Sequence, residues 1–145
     1  MKKIFIYFSL TGNGDYVADY YKEKGYEIRK VITKSKYPKK MFPLMMIGGF
    51  KAATKHKDKL VDFDNNIDDY DEIVIGSPIW FDRLSCPTNT VLSKLDLSNK
   101  SVTFVLYSGS GTSGVATKLI EEKYKGAKII NLKEPKNNIK EVDKL

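Results

Sequence analysis

Three apolar runs of this chain each break into a loop of small, hydroxyl-bearing or aromatic residues. Ile4–Phe8 leads into Ser9-Leu10-Thr11-Gly12-Asn13-Gly14, Ile73–Ile75 into Gly76-Ser77-Pro78-Ile79-Trp80-Phe81, and Val102–Tyr107 into Ser108-Gly109-Ser110-Gly111-Thr112-Ser113-Gly114. Continuous rather than alternating apolar runs are expected of strands buried on both faces, as in a parallel sheet. Helix signals separate them. Val17, Ala18 and Tyr21 share a helical face that stops at Gly25; Leu44, Ile47 and Phe50 repeat every third residue; Pro87 opens a helix carrying Val91, Leu92 and Leu95; Val115 to Tyr124 forms another, ended by Gly126. Tyr26–Ile32 and Ala127–Leu132 supply two more strands, and a short helix is expected from Ile139. Regular β-α alternation gives an α/β fold, a doubly wound, five-stranded parallel sheet with helices on both faces. All three loops then lie at the carboxyl edge of the sheet, where open α/β sheets bind ligands.

A chain of 145 residues, 41% hydrophobic and 30% charged, reads as one soluble domain spanning 1–145. No apolar run approaches the roughly 20 residues of a membrane helix. Met1–Phe8 has two lysines before an apolar run, but the run is short and no Ala-x-Ala-like site follows, so it reads as a first strand and the protein as cytoplasmic. The single Cys86 excludes an internal disulfide. Lacking a histidine or CxxC partner in the sequence pattern, it reads as a buried thiol rather than a nucleophile. His56 stands alone among lysines, and no triad, paired carboxylates or metal-ligand spacing is evident, so neither a catalytic residue nor a metal site is assigned.

The net charge of +7 is unevenly spread. Ten Lys/Arg face one acid, Asp58, between Arg29 and Leu60, and an acidic run from Asp62 to Glu72 follows. This is either a self-compensating solvated surface or a basic patch for an acidic partner or nucleic acid.

A phosphate needs donors converging from several directions. Gly12 and Gly14 let the first loop expose backbone N–H groups at a helix start, and Ser9 and Thr11 add hydroxyls. The same residues would also serve as a plain strand-to-helix turn capped by Thr11 or Asn13. No lysine completes a Gly-x-x-x-x-Gly-Lys-Ser/Thr pattern, so a P-loop nucleoside triphosphatase is excluded. In the second loop Pro78 stiffens a platform and Trp80 or Phe81 could stack on a flat ring. The third loop matches Gly-x-Gly-x-x-Gly, but only Val115 to Leu145 remain after it, too few for the rest of a dinucleotide fold.

Taken together, the arrangement resembles the flavodoxin family, whose first loop reads roughly Ser/Thr-x-Thr-Gly-x-Thr/Ser. Ser9, Thr11, Gly12 and Asn13 match, while Gly14 stands where a last hydroxyl is usual and Asp15 follows it. Tyr70–Trp80 is similar to the Gly-Thr/Ser-Pro-x-Trp loop of the shorter, NAD(P)H-dependent reductase-like branch. The resemblance implies strand order 2-1-3-4-5 and an FMN cofactor. Ser9, Thr11, Gly12, Asn13 and Gly14 would hold its phosphate; Pro78, Ile79, Trp80 and Phe81 would flank its ring; Ser108, Gly109, Ser110 and Gly111 would line the ring's polar edge. The role implied is redox: electron transfer to a partner protein, or reduction of a small acceptor such as a quinone by an FMN-dependent NAD(P)H oxidoreductase. Electron-carrying members are typically acidic, so +7 fits that role poorly and points toward a reductase-like role or one outside these two. The alternative is an interaction module that has lost flavin and binds an acidic partner through residues 29–60, a reading that Gly14 and Asp15 favour.

Overall fold

The computed structural model describes residues 1–38 and 58–145. The helix expected over 44–54, His56 and most of the basic 29–60 segment lie outside the described residues. Five parallel strands form the sheet: β1 (Lys3–Tyr7), β2 (Glu27–Lys30), β3 (Glu72–Trp80), β5 (Ser101–Ser108) and β6 (Lys128–Lys133), in the order β2-β1-β3-β5-β6. A two-residue strand β4 (Arg83–Leu84) folds back antiparallel on Ile79 and Trp80. Setting this insertion aside, the parallel order is the expected 2-1-3-4-5.

Both faces of the sheet are covered. Ile4, Ile6 and Phe8 of the first run pack with Ile73, Ile75, Phe104 and Leu106 beneath Val91 and Leu92 of α2 (Cys86–Lys94) and Ala116 and Ile120 of α3 (Gly114–Lys123). Phe5 and Tyr7 point the other way, onto Val17, Ala18 and Tyr21 of α1 (Asn13–Glu23) with Val74, Val105, Tyr107 and Leu132. This two-sided burial is why the runs carry no polar alternation. Each large apolar side chain removed from water contributes about 1.5–3 kcal/mol. A 3-10 helix, Ile139–Lys144, closes the chain where a short helix was expected. Among the described residues no helix is long and apolar enough to cross a membrane.

One boundary differs from expectation. Gly76–Trp80 is strand rather than loop, because pairing with β5 continues to Pro78 opposite Tyr107 and β4 then pairs with Ile79 and Trp80. The β1 register ends at Tyr7 opposite Gly76. Beyond it β3 has an open side, where a proline without an N–H is tolerated.

Candidate functional site

The first loop leads into α1 without a side-chain cap. Gly12 is the N-cap at φ +101, a left-handed conformation suited to glycine, and neither Thr11 nor Asn13 caps the helix. Ser9 turns inward instead: its Oγ accepts the N–H groups of Gly12 at 3.2 Å and Gly14 at 3.0 Å. Among the described residues the amides of Thr11, Asn13 and Asp15 donate no hydrogen bond. An uncapped helix start with unpaired amides is a seat for an anion.

Both departures from the family's loop pattern have structural explanations. A Cβ on Gly14 would lie 2.4 Å from Tyr107 Oη, 2.8 Å from Ser9 Cβ and 2.8 Å from Tyr7 Cδ2. No larger residue fits, because the buried Tyr107 hydroxyl donates to the Phe8 carbonyl under this turn. Asp15 is turned onto the Tyr7 hydroxyl at 2.8 Å and Lys30 Nζ at 2.7 Å. Burial pushes its carboxyl up, but the bonds from Lys30 and Tyr7, with a smaller contribution from Ser9, outweigh this and hold it below its ordinary value. Burial, and then Asp15 itself, raise the Tyr7 phenol well above its usual range.

An open cavity of about 690 Å³ adjoins the loop, lined by Ser9, Thr11, Gly12 and Asp15, by Lys30 to Thr33 at the end of β2, and by Lys136. Lys136, which no sequence motif marks, comes from the turn after β6. Its N–H donates to Asn13 Oδ1 at 3.1 Å and its Nζ is 3.4 Å from the Thr11 carbonyl.

In the second segment the two aromatic candidates separate. Trp80 is 5% exposed, edge-on to Phe8 at 5.8 Å and tilted on Tyr37 at 4.6 Å, so its ring belongs to the core. Phe81 is 66% exposed and is the aromatic presented at the rim. Phe81 and Asp82 form the tip of the β3–β4 hairpin at φ 53 and 58. Such a turn favours Asn-Gly, and a phenylalanine there costs on the order of 1–2 kcal/mol. Asp82 secures it: Oδ2 accepts the Val115 N–H and the backbone carbonyl accepts the Ala116 N–H, both at 2.9 Å. These bonds satisfy the start of α3. Ser77, on the same strand, is buried with Ser85 and Thr88 in a hydroxyl cluster that joins β3 to the start of α2.

The third loop is internally bonded. Ser108 Oγ accepts the Gly111 N–H at 2.9 Å and donates to the Thr112 carbonyl at 3.2 Å, and Ser110 Oγ meets Thr112 Oγ1 at 2.8 Å. Gly109 and Ser110 are exposed, and Gly111, at φ +76, leaves no room for a side chain beside Lys133 Cβ. Backbone pairing fixes how the three segments meet. The Phe8 N–H donates to the Gly76 carbonyl at 3.1 Å, Pro78 pairs with Tyr107, and the Glu134 N–H donates to the Ser108 carbonyl at 3.0 Å. The structure thus gathers all three predicted segments, with the 134–138 turn, at one edge of the sheet. Cys86 is buried, and no cluster of metal-ligating side chains occurs among the described residues.

A family model described as flavodoxin matches residues 51–143, a stretch that contains the second and third segments. The chain belongs to the flavodoxin family. No curated protein matches it in sequence. Among solved structures, this flavodoxin-family chain resembles a protein of Bacteroides eggerthii DSM 20697 assigned as a flavoprotein, with a TM-score of 0.71 and 20% identity over 97% of this chain and 96% of that one. It also resembles a flavoprotein of Lactobacillus acidophilus NCFM in complex with FMN, with a TM-score of 0.66 and 20% identity over 97% and 98%. An azoreductase of Bacillus anthracis str. Sterne aligns with a TM-score of 0.53 and 14% identity over 99% and 92%. At these identities the likeness is one of fold.

Proposed function

We propose that this protein binds FMN at the carboxyl edge of its sheet and reduces a small acceptor. The observation that carries the reading is the start of α1, where the N-cap is a glycine and three amides lack acceptors among the described residues, on the same edge as an exposed aromatic and a glycine-serine loop. The donor set fits a phosphate monoester: amides of Thr11, Asn13 and Asp15, the Thr11 hydroxyl, and the Gly12 and Gly14 amides that Ser9 Oγ now occupies. Lys30 neutralises the nearby acid Asp15. The α3 start is occupied by Asp82 and the α2 start is capped by Ser85, which leaves the α1 start as the available seat among the described residues.

Bound FMN would supply reversible electron and hydride transfer at its ring. Phe81 would provide an apolar wall, Pro78 and Ile79 a rigid floor, and Ser108 to Gly111 polar groups at the ring edge. A phenylalanine kept exposed and backbone-strained at a rim is the pattern of a ligand-contacting residue rather than of packing. Two further points favour a small acceptor over a docking electron carrier. One is the +7 net charge, and the other is that one fold neighbour is an azoreductase.

The test is direct. Purified protein titrated with FMN should quench flavin fluorescence with a micromolar or tighter Kd, and the loaded protein should oxidise NADPH when a quinone is present. A protein that takes up no FMN would refute the binding reading. FMN uptake without NADPH-dependent turnover would instead favour the carrier role.

A further inference from the structure

We infer that Lys136 is the phosphate-recognising cation of this site, and makes it selective for the phosphorylated flavin over riboflavin. The inference rests on the FMN reading above. Lys136 Cδ and Nζ each lie 3.2 Å from the position of a Cβ on Gly12, so the lysine stem lies against the bare glycine at the start of α1. Its Nζ has one hydrogen bond, to the Thr11 carbonyl, and no carboxylate is within ion-pair distance among the described residues. An ammonium with a single neutral acceptor, beside amides that have none, both among the described residues, is poised for an anion.

The lysine is placed by backbone structure rather than by its own flexible chain. The Glu134 carbonyl accepts the N–H groups of Asn137 at 2.9 Å and Asn138 at 3.0 Å, and Pro135 between them is buried. Asn13 Oδ1 then accepts the Lys136 N–H and pins this turn to the phosphate loop, 123 residues away in sequence. Asn13 is thus a positioning residue for Lys136 rather than a helix cap. The opposing charge at the cavity, Asp15, is engaged by Lys30 and Tyr7 and does not reach Lys136 within ion-pair distance.

Lys136→Met keeps the stem and the backbone tether and removes only the charge. Wild type and variant are titrated with FMN and with riboflavin, read by flavin fluorescence. The FMN Kd should rise about 10- to 100-fold, the loss of one charge-assisted contact, while the riboflavin Kd stays within twofold. The salt dependence of FMN binding should flatten. An unchanged FMN Kd, or an equal loss for riboflavin, would overturn the assignment. Wild type that binds neither flavin refutes the FMN reading instead. Inorganic phosphate, followed by the amide NMR shifts of Gly12 and Gly14, then decides the lysine's role. Shifts abolished by Lys136→Met support it, and shifts that persist unchanged, or that are missing in the wild type, refute it.

Discussion

Replacing Gly14 by serine restores the hydroxyl that the family's loop usually carries, and from motif comparison alone should tighten FMN binding. The structure predicts the opposite. The new Cβ meets three atoms closer than 3.0 Å, belonging to Tyr107, Ser9 and Tyr7. None can yield readily. Tyr107 and Tyr7 are buried in the cluster with Phe5, Val17 and Val74, and Tyr7 stacks on Phe5 at 5.0 Å. Overpacking of this kind costs about 1–3 kcal/mol. Displacing the Tyr107 hydroxyl from the Phe8 carbonyl adds about 1 kcal/mol, and losing a helical glycine returns at most about 1 kcal/mol. A net loss of about 2 kcal/mol follows, equivalent to a Tm lowered by about 5–8 °C for a chain of this size. Gly14→Ala should lose a similar amount, whereas Gly109→Ala, whose Cβ meets nothing within 4 Å, should stay within about 0.5 kcal/mol of wild type. Urea unfolding followed by circular dichroism provides the comparison. A Gly14→Ser protein as stable as wild type, or one that binds FMN more tightly, would refute the packing argument.

Trp80 and Phe81 should separate stability from binding. Trp80→Ala removes a core ring and should cost about 3–5 kcal/mol; Phe81→Ala should change stability by less than about 0.5 kcal/mol yet weaken FMN binding severalfold, measured by denaturation and flavin titration respectively. Asp82→Ala removes the acceptor for the Val115 N–H and should cost about 1 kcal/mol, detected as faster amide hydrogen exchange at the start of α3. Asp15 has a carboxyl held below its unfolded value of 3.8, so its stabilisation is complete above that pH and is lost as pH falls through the lower folded value. The Tm gap between wild type and Asp15→Asn should therefore be present at pH 7 and close in strong acid; a gap that widens there would contradict the pairing with Lys30 and Tyr7.

Much of this architecture was legible because burial on both faces leaves a plain record in sequence. β1, β3 and β5 are nearly unbroken apolar runs, and parallel pairing of such runs puts their following loops on one edge whatever the details. The features that escaped depend on contacts between distant residues. Phe81-Asp82 carries none of the Asn-Gly chemistry of a two-residue hairpin, since its left-handed geometry is held by the start of α3 rather than by its own residue types. Consequently Gly76–Trp80 read as loop and Trp80 as a ring platform. Gly14 read as a lost hydroxyl because its reason is a tyrosine 93 positions onward. Lys136 follows a strand and precedes two asparagines, with no local pattern that distinguishes it from the other surface lysines.

These contacts also decide where charge can reside at the edge. Among the described residues three helices begin there, each offering a positive dipole end; the start of α2 is capped by Ser85, which leaves α1 and α3 to compare. At α3 the carboxylate of Asp82 is already seated, brought by the hairpin that displays Phe81. At α1 the adjacent acid is drawn off by Lys30 and Tyr7, and a cation is carried in from the far end of the chain by Asn13. Filling one helix start with an internal anion while clearing the other is a division of labour that packing alone does not require. In the proposed FMN complex it would direct the phosphate dianion to the α1 start and leave the Phe81 side of the edge for the uncharged, planar ring. Exchanging the two arrangements, with Asp82→Asn to empty α3 and Lys136→Glu to fill α1, should abolish FMN binding at α1, and undiminished binding would refute the assignment of the α1 start as the phosphate seat.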